Sequence, residues 1–204
     1  EKKILRQMRM DTIIDFGRYG FTGVSIETMC LIVYPKMKPK ETTVYSMKFN
    51  RKSVRQQSYL TDERFPYFII YRDEQFDNVA DKLQFDMFSV FRDRQITKSI
   101  TCHKQDGSSL WVIKARNIND DGQGVTHISD YDVYLPKEKA VGLSAYRYVN
   151  DYSVYLTPNM TYNPRVIENL PGTIADGSVA VLIPKKPLRL TKRQRAYFST
   201  EEYR

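Results

Sequence analysis

Apolar positions 4, 5 and 8 recur at helical spacing near the start of the chain and predict a helix over residues 1–10. The pattern then changes to a β-rich run over residues 11–16 that stops at Gly17. A second apolar run, SIETMCLIVY at residues 25–34, predicts a buried strand ended by Pro35, and residues 43–49 alternate as a third strand. A helix followed by nearly continuous apolar strands suggests the edge of a covered α/β sheet.

From Asn50 the texture turns polar, aromatic and charged, which places a domain boundary there. Residues 51–60 read as a short helix, 77–85 as an amphipathic helix, and 89–101 as an extended or mixed segment. LWVIKARNI at 110–118 is a strand closed by the turn residues Asn119, Asp120, Asp121 and Gly122. Residues 125–135, 153–157 and 178–183 read as further strands between Pro and Gly punctuation, and 191–204 as a closing helix. The expected class is mixed α/β: the end of an α/β sheet, then a β-rich domain with short helices.

With 204 residues, 41% of them hydrophobic, the chain can bury one ordinary core or one core and a small appendage. Its 32 Lys and Arg against 24 Asp and Glu leave a net charge of +8, which favours a polyanionic partner. The longest apolar run is too short to span a bilayer and no signal peptide is visible, so a cytoplasmic protein without membrane attachment is expected. The start at Glu1 and the helical ending suggest a fragment of a longer chain. Cys30 and Cys102 lack any CxxC spacing and read as reduced thiols, and with His103 and His127 they do not make up a zinc set.

Three segments carry candidate contact chemistry. FRDRQITK crowds Arg92, Arg94, Gln95, Thr97 and Lys98 together: arginine pairs bidentately with guanine, glutamine with adenine, and lysine or threonine holds phosphates. The bland alternative is a solvated surface in which the arginines pair with Asp93 or Asp86. KARNINDDG delivers Lys114, Arg116 and Asn117 from a strand end into an Asp-rich turn. Asp120 and Asp121 have no EF-hand spacing, and the Glu that a nuclease core needs two residues before Lys114 is Val112. LTPNMTYNPR would project Asn159, Thr161, Tyr162, Asn163 and Arg165 from one β edge, suited to base reading. Many of the 15 tyrosines sit beside basic residues and could stack on bases, although half-buried core is the default for most. Two weak signals carry nothing: Asp15, Phe16 and Gly17 spell DFG without the other kinase motifs, and Gly17, Gly20 and Gly23 do not form GxGxxG.

The ordered segments IIDFG (13–17), GFTGVSIETMCLIV (20–33), RDRQITK (92–98), VIKARNINDDG (112–122) and DGSVAVLIP (176–184) resemble the C-terminal half of bacterial type II restriction-modification adenine-specific DNA methyltransferases, closest to those of the Alw and Esp type. The resemblance covers essentially the whole chain. It implies that residues 1–50 are the last strands of the catalytic domain and that 51–204 form a target-recognition domain. The full-length enzyme would transfer a methyl group from S-adenosylmethionine to the exocyclic amine of an adenine flipped out of the duplex. Its partners would be double-stranded DNA, the rest of the methyltransferase chain and a restriction endonuclease.

The chain departs from that family where chemistry is concerned. No Asn-Pro-Pro-Tyr or Asp-Pro-Pro-Tyr loop is present, since Asn163 and Pro164 are followed by Arg165 and Val166, and no Gly-rich cofactor loop occurs. No catalytic, metal or cofactor residue is therefore assigned, and the fragment alone is not expected to methylate. Two alternatives stand beside this reading: the specificity part of a fused restriction-modification enzyme, and a non-catalytic interaction scaffold whose basic face meets an acidic protein.

Overall fold

Alternation of small polar and apolar residues builds the first sheet. In the computed structural model, which describes residues 2–65 and 67–203, helix α1 (Lys2–Gln7) leads into strand β1 (Arg9–Gly17), followed by β2 (Thr28–Tyr34), β3 (Glu41–Ser46) and β4 (Arg51–Gln56). The strand order is β2-β1-β3-β4, with β1 and β3 parallel and the outer pairs antiparallel. Thr42, Val44 and Ser46 bury the same face of β3, and Val44 meets Ile13 and Leu60 in a small core flanked by Tyr59, Ile70 and Tyr71.

Residues 51–60 are not one helix. Asn50 adopts a left-handed φ of 45°, and the turn it closes folds β4 back along β3. The open edge of β3 thus captures a segment whose composition alone suits a helix, leaving only the short α2 (Gln57–Leu60). Residue 50 lies in a hairpin inside one unit, and the division between the two compact units falls instead between Phe85 and Asp86. The apolar run of β2 also differs from the expected covered strand: it is an edge strand that exposes Met29, Leu31, Ile32 and Tyr34.

Gln57 locks the start of β1. Buried at 2% exposure, it accepts a hydrogen bond from the Met10 backbone at 2.9 Å and donates to the carbonyls of Leu5 and Met8. Beyond α2, Arg72 pairs with Asp62 at 2.8 Å and Asp77 at 2.5 Å while its guanidinium covers the Tyr59 ring. Asp73 caps α3 (Glu74–Ala80), which begins three residues earlier than the sequence pattern suggests because the cap decides the first turn.

Hydrogen bonds from Arg64, and secondarily from Arg72, hold the Asp62 carboxyl well below the ordinary carboxylate range. A carboxyl depressed in the folded state stabilises above its unfolded value, about 4, and that contribution is lost as pH falls below it. The first unit is therefore expected to open progressively between about pH 4 and pH 2, and Asp62→Asn should flatten the slope. Hydrogen exchange at Leu60 and Ile69 against pH checks this; an unchanged slope in the variant would remove Asp62 as the cause.

In the second unit, β5 (Phe88–Arg92), β6 (Ser109–Ile113), β7 (Val133–Pro136), helix α4 (Lys137–Ala140), β8 (Tyr155–Pro158), β9 (Ile167–Glu168), β10 (Thr173–Ala175) and β11 (Val179–Pro184) precede the closing helix α5 (Lys192–Tyr197). They form a three-stranded sheet ordered β10-β6-β7 and an antiparallel four-stranded sheet ordered β5-β11-β8-β9. Ile113, Ala175, Leu156, Ile167, Val179 and Val181 pack in one core drawn from both sheets. Leu110, Val112, Leu135 and Ile174 face a second core with Ala140, Ala145 and Val149. The three-stranded sheet is buried on both faces, which accounts for the unbroken apolar run LWVI.

Two expected strands are shorter than the pattern suggested. The 110–118 run stops at Ile113 because a 3-10 turn at Ala115–Asn117 bends the chain, and of the 125–135 run only the end, from Val133, joins a sheet. The closing helix stops at Tyr197; its start follows from a capping box between Thr191 and Gln194. The architecture is mixed α/β, mostly sheet with a few short helices, and among the described residues no helix is long and apolar enough to cross a membrane.

Candidate nucleic-acid interface

The turn Asp176-Gly177-Ser178 between β10 and β11 gathers the exits of three other strands, β5, β6 and β8. Its Asp176 carboxylate accepts from the Ser178 backbone at 2.8 Å and hydroxyl at 2.6 Å, an Asx turn that fixes the loop. Ser178 then accepts from the Ala115 backbone at the exit of β6 through its hydroxyl, and from the Asn159 backbone at the exit of β8 through its carbonyl. The Gly177 carbonyl accepts from Arg92 Nε at 2.7 Å at the end of β5. A Cβ at position 177 would stand 2.7 Å from the Asp93 carbonyl oxygen, so this approach requires glycine. With its amide oxygen turned toward Arg92, Asn159 accepts from Nε at 3.1 Å and Nη1 at 3.2 Å.

The next residues leave this hub in a defined direction. Asp93 is buried, and its carboxylate accepts from the backbones of Gln95 and Ile96 at 2.8 and 2.7 Å. That turn directs Arg94 outward and brings the Gln95 side chain to the Ser144 backbone, from which it accepts at 2.9 Å. Asp93 is thus engaged with backbone, and Asp86 pairs with Lys185. Among the described residues neither Arg92, Arg94 nor Lys98 forms an ion pair, so the solvated-pair alternative for FRDRQITK is not what the fold builds.

A cleft of about 640 Å³ opens beside the hub, lined by Thr97, Lys98, Lys114, Asp130, Tyr131 and Asp176 among others. Lys114 donates to the Tyr131 carbonyl and lies 3.6 Å from the centre of that ring, with Arg116 4.9 Å from the same ring. Burial pushes the Lys114 ammonium below its ordinary value, opposed by the charges of Asp176 and Asp132. Lys114 therefore faces the cleft, whereas Arg116 is exposed.

Of the expected contact residues, Asn117 and Arg165 are buried, whereas Thr161 is exposed with its hydroxyl engaged locally. Asn117 is fully buried: it accepts from the Lys114 backbone at 3.0 Å and donates to the Thr126 carbonyl and to Asp132. Arg165, at 8% exposure, donates to the carbonyls of Ile118, Asn163 and Ala115. The Thr161 hydroxyl is held within its own loop by Asn163 and Arg165. The polar groups of Asn117 and Arg165 thus brace backbone beneath the surface rather than projecting from it.

One cluster was absent from the sequence reading. The His127 ring stacks on Trp111 at 3.7 Å and 19°, its Nδ1 lies 2.7 Å from the Asp132 carboxylate, and that carboxylate also holds Asn117. His103 and His127 line an adjoining cleft with Asp130 and Asp132. Nothing local in the sequence marks Asp132 as the centre of this set, because its partners come from 5 to 15 residues upstream through a turn. Among the described residues no three His, Cys, Asp or Glu side chains gather closely enough to hold a metal.

The site thus reduces to Arg92, Arg94, Gln95, Arg116 and Asn159 as a rim near the Asp176–Ser178 turn, with Thr97, Lys98 and Lys114 lining the cleft beside it. Compared with known proteins, the chain matches no family model, and no curated protein matches it.

Proposed function

We propose that this chain recognises double-stranded DNA as the target-recognition part of an adenine-specific DNA methyltransferase. The observation that carries the reading is the convergence of the exits of β5, β6 and β8 on the Asp176-Gly177-Ser178 turn, beside which Arg92, Arg94 and Lys98 form no ion pair among the described residues. Such a rim suits DNA because phosphates need cations at fixed spacing and base edges need oriented donors. Arg92 and Asn159, already oriented by each other, and Arg94 and Gln95 on the Asp93 turn are assigned to base edges. Lys98 and Arg116 are assigned to phosphates, and Lys114 to a group entering the cleft.

The family likeness of the five ordered segments supplies the rest of the reading. S-adenosylmethionine and the methyl-transfer chemistry belong to the remainder of the full-length enzyme, and no residue here is assigned to them. The rest of that chain and a restriction endonuclease are its proposed protein partners.

Selection of a random-sequence duplex pool by this protein at two salt concentrations tests the proposal. Binding is expected to fall with salt at a log-log slope of about 0.9 per phosphate contact and to enrich a short adenine-containing sequence. Arg94→Ala should cost about 1–3 kcal/mol at one base position, while Lys98→Ala should weaken all sequences alike and reduce the slope by about 1. Salt-insensitive binding or none would favour a scaffold for an acidic protein, the second reading that the charge of +8 allows.

A further inference from the structure

The loop joining β8 to β9 exposes Met160 at 86% and Tyr162 at 92%, the two highest values among the large hydrophobic side chains described. Between them Thr161 turns its hydroxyl inward, donating to the Asn163 carbonyl at 3.1 Å and accepting from the Asn163 backbone at 3.0 Å. Beneath, Arg165 binds both Thr161 and the Asn163 carbonyl while anchoring to Ile118 and Ala115. The loop is thus braced from within by a buried arginine. The hydroxyl of Tyr162 makes no hydrogen bond among the described residues.

We infer that Met160 and Tyr162 form a preorganised wedge that inserts between stacked base pairs of the DNA duplex. The inference rests on the DNA-recognition reading and extends it to a contact of a different kind. Apolar side chains held in water at the end of a braced loop gain most from a partner with apolar faces and a charged rim, and a base-pair step offers both. Charge complementarity selects DNA: Asn159, next to Met160, holds the Arg92 guanidinium assigned to a base edge, so a duplex read there brings a neighbouring base step within reach of the loop. Met fits between bases because it is flexible and polarisable, and Tyr because its ring stacks on any base. Insertion would partly unstack one step and kink the duplex.

Both side chains are exposed, so Met160→Ala with Tyr162→Ala leaves the packing untouched. Tyr152, 73% exposed at the opposite end of β8, serves as a control. Bound duplexes retained from the random pool are treated with permanganate and diethyl pyrocarbonate, which modify thymines and purines that have lost stacking. The wild-type protein and Tyr162→Phe are expected to raise reactivity several-fold at one step, Tyr152→Ala to do the same, and the double variant to return it to that of free duplex with the salt slope unchanged. Salt-dependent binding without heightened reactivity, or reactivity that persists in the double variant, would overturn the wedge and leave DNA recognition standing. Absence of duplex binding would overturn both.

Discussion

Replacing Arg165 by methionine is expected to destabilise the second unit by about 3 kcal/mol, because each buried acceptor left without a partner costs about 1–3 kcal/mol. The methionine keeps much of the apolar stem, so packing changes little and the loss reports on the guanidinium. Arg165 serves the carbonyls of Ile118 at 3.1 Å and Ala115 at 3.3 Å, and shares that of Asn163, at 2.8 Å, with the Thr161 hydroxyl. The Asp120 carboxylate at 3.4 Å is 83% exposed and adds little, since surface ion pairs contribute about 0–1 kcal/mol. Arg165→Lys should recover only part of the loss, because one ammonium cannot reproduce a planar fork reaching the Ile118 and Ala115 carbonyls together. Denaturant unfolding followed by hydrogen exchange in residues 110–122 and 154–168 provides the test. Full stability combined with weakened DNA binding would return Arg165 to the contact surface.

Asn117→Ala should cost a comparable amount, about 3 kcal/mol, for a different physical reason. The side chain is the only group that simultaneously accepts from the Lys114 backbone and donates to the Thr126 carbonyl and Asp132 carboxylate among the hydrogen bonds described. Its removal leaves Asp132 with fewer donors in a site at 9% exposure and frees the turn that ends β6. Because that turn carries Arg116 and Lys114, the variant should also blur the orientation of the cleft. Unfolding in denaturant measures the first effect, and the salt slope of duplex binding the second. A variant as stable as the wild type would show that the Ala115–Asn117 turn is held by its neighbours alone.

These two residues show how far local reasoning reaches. The segment KARN and the segment TYNPR both advertise amide and guanidinium groups at strand ends, a composition that suits base reading and backbone bracing equally well. The deciding contacts join positions 47 and 50 residues apart in the case of Arg165, and no local pattern reports them. Arg94 and Lys98 remain on the surface because their only near-sequence acid, Asp93, is engaged in an Asx turn.

The amino-acid sequence by itself determined the positions of most strands, since a period of two or an unbroken apolar run burns in one local backbone geometry wherever a core is available, as in β1, β3, β6, β8 and β11. It also determined that a helix starts at residue 191 and that Pro and Gly punctuation separates the later strands. Tertiary structure alone decided that residues 51–56 form a strand paired antiparallel with β3, that the exposed edge strand is β2, and that Gly177 must approach Asp93 from 84 positions away. The physical reason is common to all three: a backbone group takes whichever partner satisfies it, and when that partner lies far along the chain, only the folded arrangement can choose it.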